Sequence, residues 1–217
     1  MKIFLDTANL EEIKKWADRG VIDGVTTNPT LLSKEKGDYK DLLIKICEVV
    51  KGDVSIEVVE KDPEMVFKQA LEISRISSNV VVKIPFSEKY LKVISSLVKE
   101  GVRINATLIF SLLQALLMAK LNVLYISPFL GRWDDIDVDG LKLLEQLVVL
   151  KTKYNFQSKI LAASIRNLMH WHYATLLGVD VITLPPRLLD QVMSHPLTTQ
   201  GIEKFEIDWE KSQKKLV

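Results

Sequence analysis

A single lysine interrupts the most β-branched stretch of the chain, Asn79-Val80-Val81-Val82-Lys83-Ile84-Pro85. Such a run reads as a strand buried on both faces, so the ammonium must either snorkel to water or give up its proton. An amine without its proton attacks carbonyls, and lysine is the side chain that reaches this state most readily. Glu57 lies inside a similar run, Ser55-Ile56-Glu57-Val58-Val59, where an unpaired buried carboxylate would be costly. Asp6, Asn28, Asn105, Thr107, Ser127 and Ser164 stand at or near the ends of other such runs. Several have ordinary readings: Asp6 or Ser164 as a helix N-cap, Asn28 as a turn residue before Pro29. Asn105 and Thr107 are two apart and share one face of a strand. Brought together, two carboxylates and a lysine supply an amine nucleophile with proton-transfer partners. Arg132 and Arg166 would add fixed cations suited to a phosphate, the competing reading being surface salt bridges such as Arg132 with Asp134 or Asp135.

For these residues to meet, the elements carrying them must end at one place. Short β-type runs over 2–6, 24–27, 54–59, 80–85, 103–108, 123–127, 159–163 and 179–184 alternate with helical stretches over 10–19, 30–50, 63–77, 88–99, 111–121, 139–154, 168–177 and 186–194. Strict βα alternation predicts a parallel sheet with right-handed crossovers. Eight units predict an α/β fold, a single (β/α)₈ TIM barrel spanning residues 1–217, with chemistry at the C-terminal ends of the strands. Strand 8 ends blandly, at Thr183-Leu184-Pro185. An open doubly wound sheet is the alternative, but Asp6-Thr7-Ala8-Asn9 stands where a glycine-rich dinucleotide loop would be expected. A ninth helix over 198–215 carries Ile202, Phe205 and Trp209 on one face and would pack on its own barrel or on a neighbouring subunit.

Composition narrows the function. With 29 basic and 28 acidic residues, a net charge of +1 and no basic stripe, nucleic-acid or membrane binding is not expected. The most apolar window, 108–119, is shorter than the ~20 residues of a membrane span, and the first residues enter a strand at once, so a cytoplasmic location is expected. Cys47 falls at helical spacing with Leu43, Ile46 and Val50 and reads as core. His170 and His172 point to different helix faces, and with His195 they make no metal site, so neither a metal nor another cofactor is expected.

The chain resembles the short bacterial and archaeal transaldolases, a family that includes the fructose-6-phosphate aldolases. The likeness is carried by Phe4-Leu5-Asp6-Thr7-Ala8-Asn9, Gly24-Val25-Thr26-Thr27-Asn28-Pro29-Thr30, Val82-Lys83-Ile84-Pro85, Asn105-Ala106-Thr107-Leu108, Ser127-Pro128-Phe129-Leu130-Gly131-Arg132, Ala162-Ala163-Ser164-Ile165-Arg166 and His195-Pro196-Leu197-Thr198. It implies a metal-free Schiff-base enzyme of the pentose phosphate pathway acting on sugar phosphates, assembled as a homo-oligomer, a pentamer or decamer, through the last helix. It implies Lys83 as the Schiff-base lysine, Asp6 as the acid/base at the C4 hydroxyl, and Glu57 with Thr107 as holders of a catalytic water. Asn28, Asn105 and Ser127 would grip the dihydroxyacetone hydroxyls, and Arg132, Ser164 and Arg166 the phosphate. The aldolases of the family carry glutamine in place of Glu57 and tyrosine in place of Phe129, so transfer is expected over free cleavage. A dihydroxyacetone aldolase and a non-catalytic sugar-phosphate-binding barrel remain the alternatives. Around Phe86-Ser87-Glu88-Lys89-Tyr90, and before strand 6, the chain departs from the family pattern.

Overall fold

Eight strands pair in parallel and in chain order, and β1 meets both β2 and β8, closing the sheet into a barrel. The computed structural model describes residues 1–212. In order the elements are β1 (Lys2–Asp6), α1 (Leu10–Asp18), β2 (Gly24–Thr26), α2 (Pro29–Leu32), α3 (Tyr39–Val49), β3 (Asp53–Glu57), α4 (Pro63–Ser74), β4 (Val80–Pro85) and a 3₁₀ turn (Glu88–Tyr90). Then follow α5 (Leu91–Lys99), β5 (Ile104–Ile109), α6 (Leu112–Lys120), β6 (Tyr125–Pro128), α7 (Leu130–Asp134), α8 (Gly140–Tyr154), β7 (Lys159–Ala162), α9 (Leu168–Leu177), β8 (Val181–Leu184), α10 (Pro186–Met193) and α11 (Pro196–Ser212). The (β/α)₈ architecture expected from the alternation is the one present.

Two differences have local causes. The helix expected over 30–50 is broken in two because Gly37 takes a left-handed φ of 96°, after which Asp38 caps α3 through the amide of Asp41 at 2.9 Å. The five-residue α7 was not anticipated, since so short a helix has no periodicity to read.

The core lies in two layers. Outward-facing strand residues such as Leu5, Val25, Val54, Ile56, Val82 and Ile84 meet the apolar stripes of the helices, including Trp16, Ile46, Val66 and Leu97. Cys47 is buried there, and desolvation pushes its thiol up to about 11. Inside the barrel Phe4, Val81, Tyr125, Leu161 and Val181 form an apolar floor, with Phe4 and Tyr125 edge to face at 5.9 Å. Because strand side chains alternate, the residues two positions further on must point into the same lumen one layer higher. Those residues are Asp6, Lys83, Ser127 and Thr183, with Ala163 the one apolar member: a largely polar mouth on an apolar floor.

None of the described residues of α11 is buried, and Phe205 is 73% exposed. The helix does not pack on its own barrel through the Ile202, Phe205 and Trp209 face. Lys214 and Lys215, the end of the expected helix, lie outside the described residues. Among the described residues no helix is long and apolar enough to cross a membrane.

Candidate active site

β4 carries Lys83 into the lumen, where it is only 4% exposed. Its register against β3 sets Glu57 directly beside it, and Nζ lies 2.8 Å from Glu57 Oε2. A second contact, 3.1 Å to the backbone oxygen of Thr27, fixes the end of the side chain. The Glu57 side chain keeps 14% exposure, so the pair sits at the boundary between lumen and solvent. Glu57 is thus the nearest proton acceptor to the amine.

Asp6 approaches from β1, and its carboxyl is held above the ordinary range. Burial is the main cause; Lys83 and a hydrogen bond from Thr26 pull the other way, and the charge of Glu57 adds to the rise. Asp6 caps nothing, because Asn9 takes the N-cap of α1 by accepting from the amide of Glu12 at 3.0 Å. Its partner is instead Thr26, whose hydroxyl donates to Oδ1 at 2.8 Å.

The neutral residues form a second row. Asn105 Nδ2 donates to Ser55 Oγ at 3.1 Å, and the Ser127 hydroxyl donates to Asn105 Oδ1 at 2.6 Å. Thr107 is fully buried and its hydroxyl has no partner among the described residues. Just past it, Leu108 takes φ 57° where the β5–β6 register shifts, a bulge that re-aims the strand end at the mouth. Asn28 does what a turn residue does, capping α2 through the amide of Leu31 at 2.9 Å. Phe129 closes the mouth from β6, its ring centroid 5.9 Å from Lys83 Nζ, and Phe110 packs edge-on against it at 6.1 Å.

The rim holds the cations. Gly131 opens α7 against the end of β7, its amide donating to Ser164 O at 2.9 Å. Any Cβ at Gly131 would lie 2.4 Å from that oxygen and 2.6 Å from Arg166 Nε. Ser164 itself has φ 57° and is no N-cap, since Asn167 caps α9. Arg132 and Arg166 are both exposed. The salt bridge of the competing reading for Arg132 is absent among the described residues: Asp135 pairs with Arg166 through both oxygens, and Asp134 Oδ2 meets His170 Nε2 at 3.0 Å. Asp135 can reach Arg166 because α7 turns the chain back toward the start of α9. His170 is buried and His172 exposed, so the two do face apart.

The chain matches the family model described as transaldolase/fructose-6-phosphate aldolase over residues 3–216. It belongs to that family. Among curated relatives it is 50% identical over 214 residues to a probable transaldolase of Kosmotoga olearia, covering 99% of this chain and 98% of the relative. It is 49% identical to probable transaldolases of Petrotoga mobilis (98% of this chain, 96% of the relative) and of Nitrosopumilus maritimus (97% and 96%). A solved structure of a candidate fructose-1,6-biphosphate aldolase from Coccidioides immitis superposes with TM-score 0.58 at 13% identity, covering 91% of this chain and 81% of that one, a likeness of fold alone.

Within the family fold, the roles of three residues of this site escaped the sequence reading, Thr26, Thr183 and Arg187, and Asp135 was matched with the wrong arginine. Threonine is a common strand former, and nothing marks Thr26 or Thr183 until the barrel closes β2 near β8. Strand 8 therefore does not end blandly, because Thr183 Oγ1 lies 2.6 Å from Thr26 Oγ1. Arg187, at the start of α10, donates to Arg166 O at 2.5 Å and brings a third guanidinium to the rim.

Proposed function

We propose that this chain is a transaldolase that moves a dihydroxyacetone unit from a ketose phosphate to an aldose phosphate through a Schiff base on Lys83. The observation that carries the reading is the buried Lys83 amine, 2.8 Å from Glu57 at a barrel mouth that also holds Asp6. Lys83 passes a proton to Glu57 and attacks the C2 ketone of fructose 6-phosphate or sedoheptulose 7-phosphate. Glu57 returns the proton as water leaves, and the orphan hydroxyl of Thr107 suits it to hold that water. Asp6 removes the proton of the C4 hydroxyl, the C3–C4 bond breaks into the protonated imine, and the aldose phosphate departs. Asn28, Asn105 and Ser127 grip the three carbons left on Lys83. Arg132, Ser164 and Arg166 hold the phosphate of whichever aldose is present, erythrose 4-phosphate or glyceraldehyde 3-phosphate, the exchange expected in the non-oxidative pentose phosphate pathway.

Transfer is favoured over free cleavage because Glu57 is a carboxylate and Phe129 has no phenol to protonate the enamine. No step needs a metal. The exposed apolar face of α11 supports association of copies.

Borohydride added with fructose 6-phosphate tests the reading. A dihydroxyacetone-sized mass on Lys83, with turnover that requires erythrose 4-phosphate, is the expected result. Turnover without an acceptor would make it an aldolase, and no adduct on Lys83 would overturn the Schiff-base chemistry.

A further inference from the structure

The hydroxyls of Thr26 and Thr183 run from Asp6 into the lumen as a chain of contacts, both threonines 2% exposed. Thr26 has one proton and gives it to Asp6 Oδ1 at 2.8 Å. The 2.6 Å contact between Thr26 and Thr183 must then be donated by Thr183. With Asp6 ionised, every hydroxyl proton of this chain is used: Thr183 to Thr26, Thr26 to the carboxylate. A proton on Asp6 Oδ2 would leave the chain intact but turn the charge-assisted bond from Thr26 into a weaker neutral one, while a proton on Oδ1 would force the chain to reverse and leave the proton of Thr183 without an acceptor among the described residues. A buried donor without a partner is expensive. The chain therefore runs more favourably in one direction, toward a charged Asp6.

We propose that Thr26 and Thr183 are positioning residues that hold Asp6 ionised and aimed as the base of the reaction, acting through this one-way hydroxyl chain. The inference rests on the transaldolase reading only for what Asp6 does, not for how it is held. Oδ2, which takes no hydrogen bond from the described residues, is left for the substrate. The opposing influence is burial, which favours the neutral acid. The charged groups facing Asp6 are Lys83 from β4, which supports ionisation, and Glu57 from β3, which resists it. Thr26 from β2 and Thr183 from β8 supply the remaining support, so each neighbouring strand contributes to keeping a base in a site dry enough for imine chemistry. Once Asp6 has taken a proton from the C4 hydroxyl on Oδ2, the bond from Thr26 to Oδ1 is weaker than it was to the carboxylate, which promotes return of the proton to the incoming aldehyde.

Thr26→Val and Thr183→Val remove the hydroxyls at nearly constant shape; Thr26→Ser keeps one. Two measurements on the full chain read the effect: the pH profile of kcat/KM for transfer from fructose 6-phosphate to erythrose 4-phosphate, and the substrate-free titration of the Asp6 carboxyl by ¹³C NMR, assigned with Asp6→Asn. In Thr26→Val both titrations move toward neutral pH, and the rate just below the acid limb falls about tenfold. Thr183→Val moves them in the same direction by less, while Thr26→Ser leaves them near wild type. Loss of rate at every pH with the limb unmoved would overturn the proposal, as would Thr26→Ser behaving like Thr26→Val. If Thr26→Val does not fold, Thr183→Val gives the same decision. Should wild type give no borohydride adduct on Lys83, the functional reading fails, and the NMR titration still decides this one.

Discussion

Asp135 lies across the guanidinium of Arg166, one oxygen on each terminal nitrogen, with Oδ2 2.7 Å from Nη2. The bond from Arg166 holds the Asp135 carboxyl below its ordinary range, and the nearby charge of Arg132 adds to the effect. Both partners are exposed, so the pair contributes little to stability. On the proposed phosphate reading its consequence is at the rim, where the resident carboxylate would compete with an incoming phosphate for the same cation. Asp135→Asn is expected to lower KM for phosphorylated acceptors, and the Ki of inorganic phosphate, by about 2–5-fold with kcat little changed. Steady-state kinetics with phosphate as a competitor checks this; a rise in KM would show that Asp135 orients Arg166 instead.

Lys83→Met should abolish transfer, by about 10⁴-fold or more, along with the borohydride adduct. It also leaves Glu57 without its partner in a nearly closed lumen. Breaking such a pair from one side costs about 3 kcal/mol, whereas Lys83→Met combined with Glu57→Gln removes the stranded charge. Urea unfolding of the double variant should therefore show it more stable than Lys83→Met alone. Equal stabilities would mean that Glu57 is adequately solvated without the lysine.

The residues legible in the sequence are those whose chemistry clashes with their neighbours. Lys83 and Glu57 stand out because charge is conspicuous in a β-branched run, and the barrel itself follows from an alternation that repeats eight times. What escaped has no local signature. Thr26 and Thr183 look like ordinary strand residues, and their contact spans 157 positions, across the seam that closes the barrel. Asp135 was visible, but pairing it with Arg132 assumed that neighbours in sequence are neighbours in space; α7 sends it 31 residues onward to Arg166. Taken alone, Asp6 has a cap as its ordinary alternative because aspartate commonly caps, yet Asn9, next to the helix, holds that position.

Gly131 is needed for close approach rather than for its backbone angle. A methyl there would press on Ser164 O at 2.4 Å and on Arg166 Nε at 2.6 Å, and Ser164 is already held at φ 57°. Gly131→Ala should raise KM for phosphorylated acceptors about tenfold and lower the melting temperature by about 5 °C. Reaction with glyceraldehyde, which lacks the phosphate, should change much less; equal losses on both acceptors would place the damage at Lys83 and not at the rim.

An apolar helix face with no cover on its own chain is a surface for association. Phe205→Glu is expected to leave the circular dichroism spectrum intact, since no described residue of α11 is buried, while light scattering shows a smaller assembly than wild type. An unchanged mass would place the contacts between copies elsewhere.

Asp6 sets activity against stability. Burial raises its folded-state titration above the unfolded value, so the ionised carboxylate weakens the fold at neutral and alkaline pH. That loss fades as pH falls through the raised value and is gone below the ordinary carboxylate range, where both states are protonated. Asn has nearly the same shape and cannot ionise. Asp6→Asn should therefore melt higher than wild type at pH 8, by about 2–4 °C for each kcal/mol relieved in a chain of this size, and the advantage should shrink on acidification. Transfer should fall about 10³-fold at the same time, because the C4 proton has lost its acceptor. Thermal melts at stepped pH check the sign: a lower melting temperature than wild type at pH 8 would mean that Lys83 depends on Asp6 as a counter-charge more than burial opposes it.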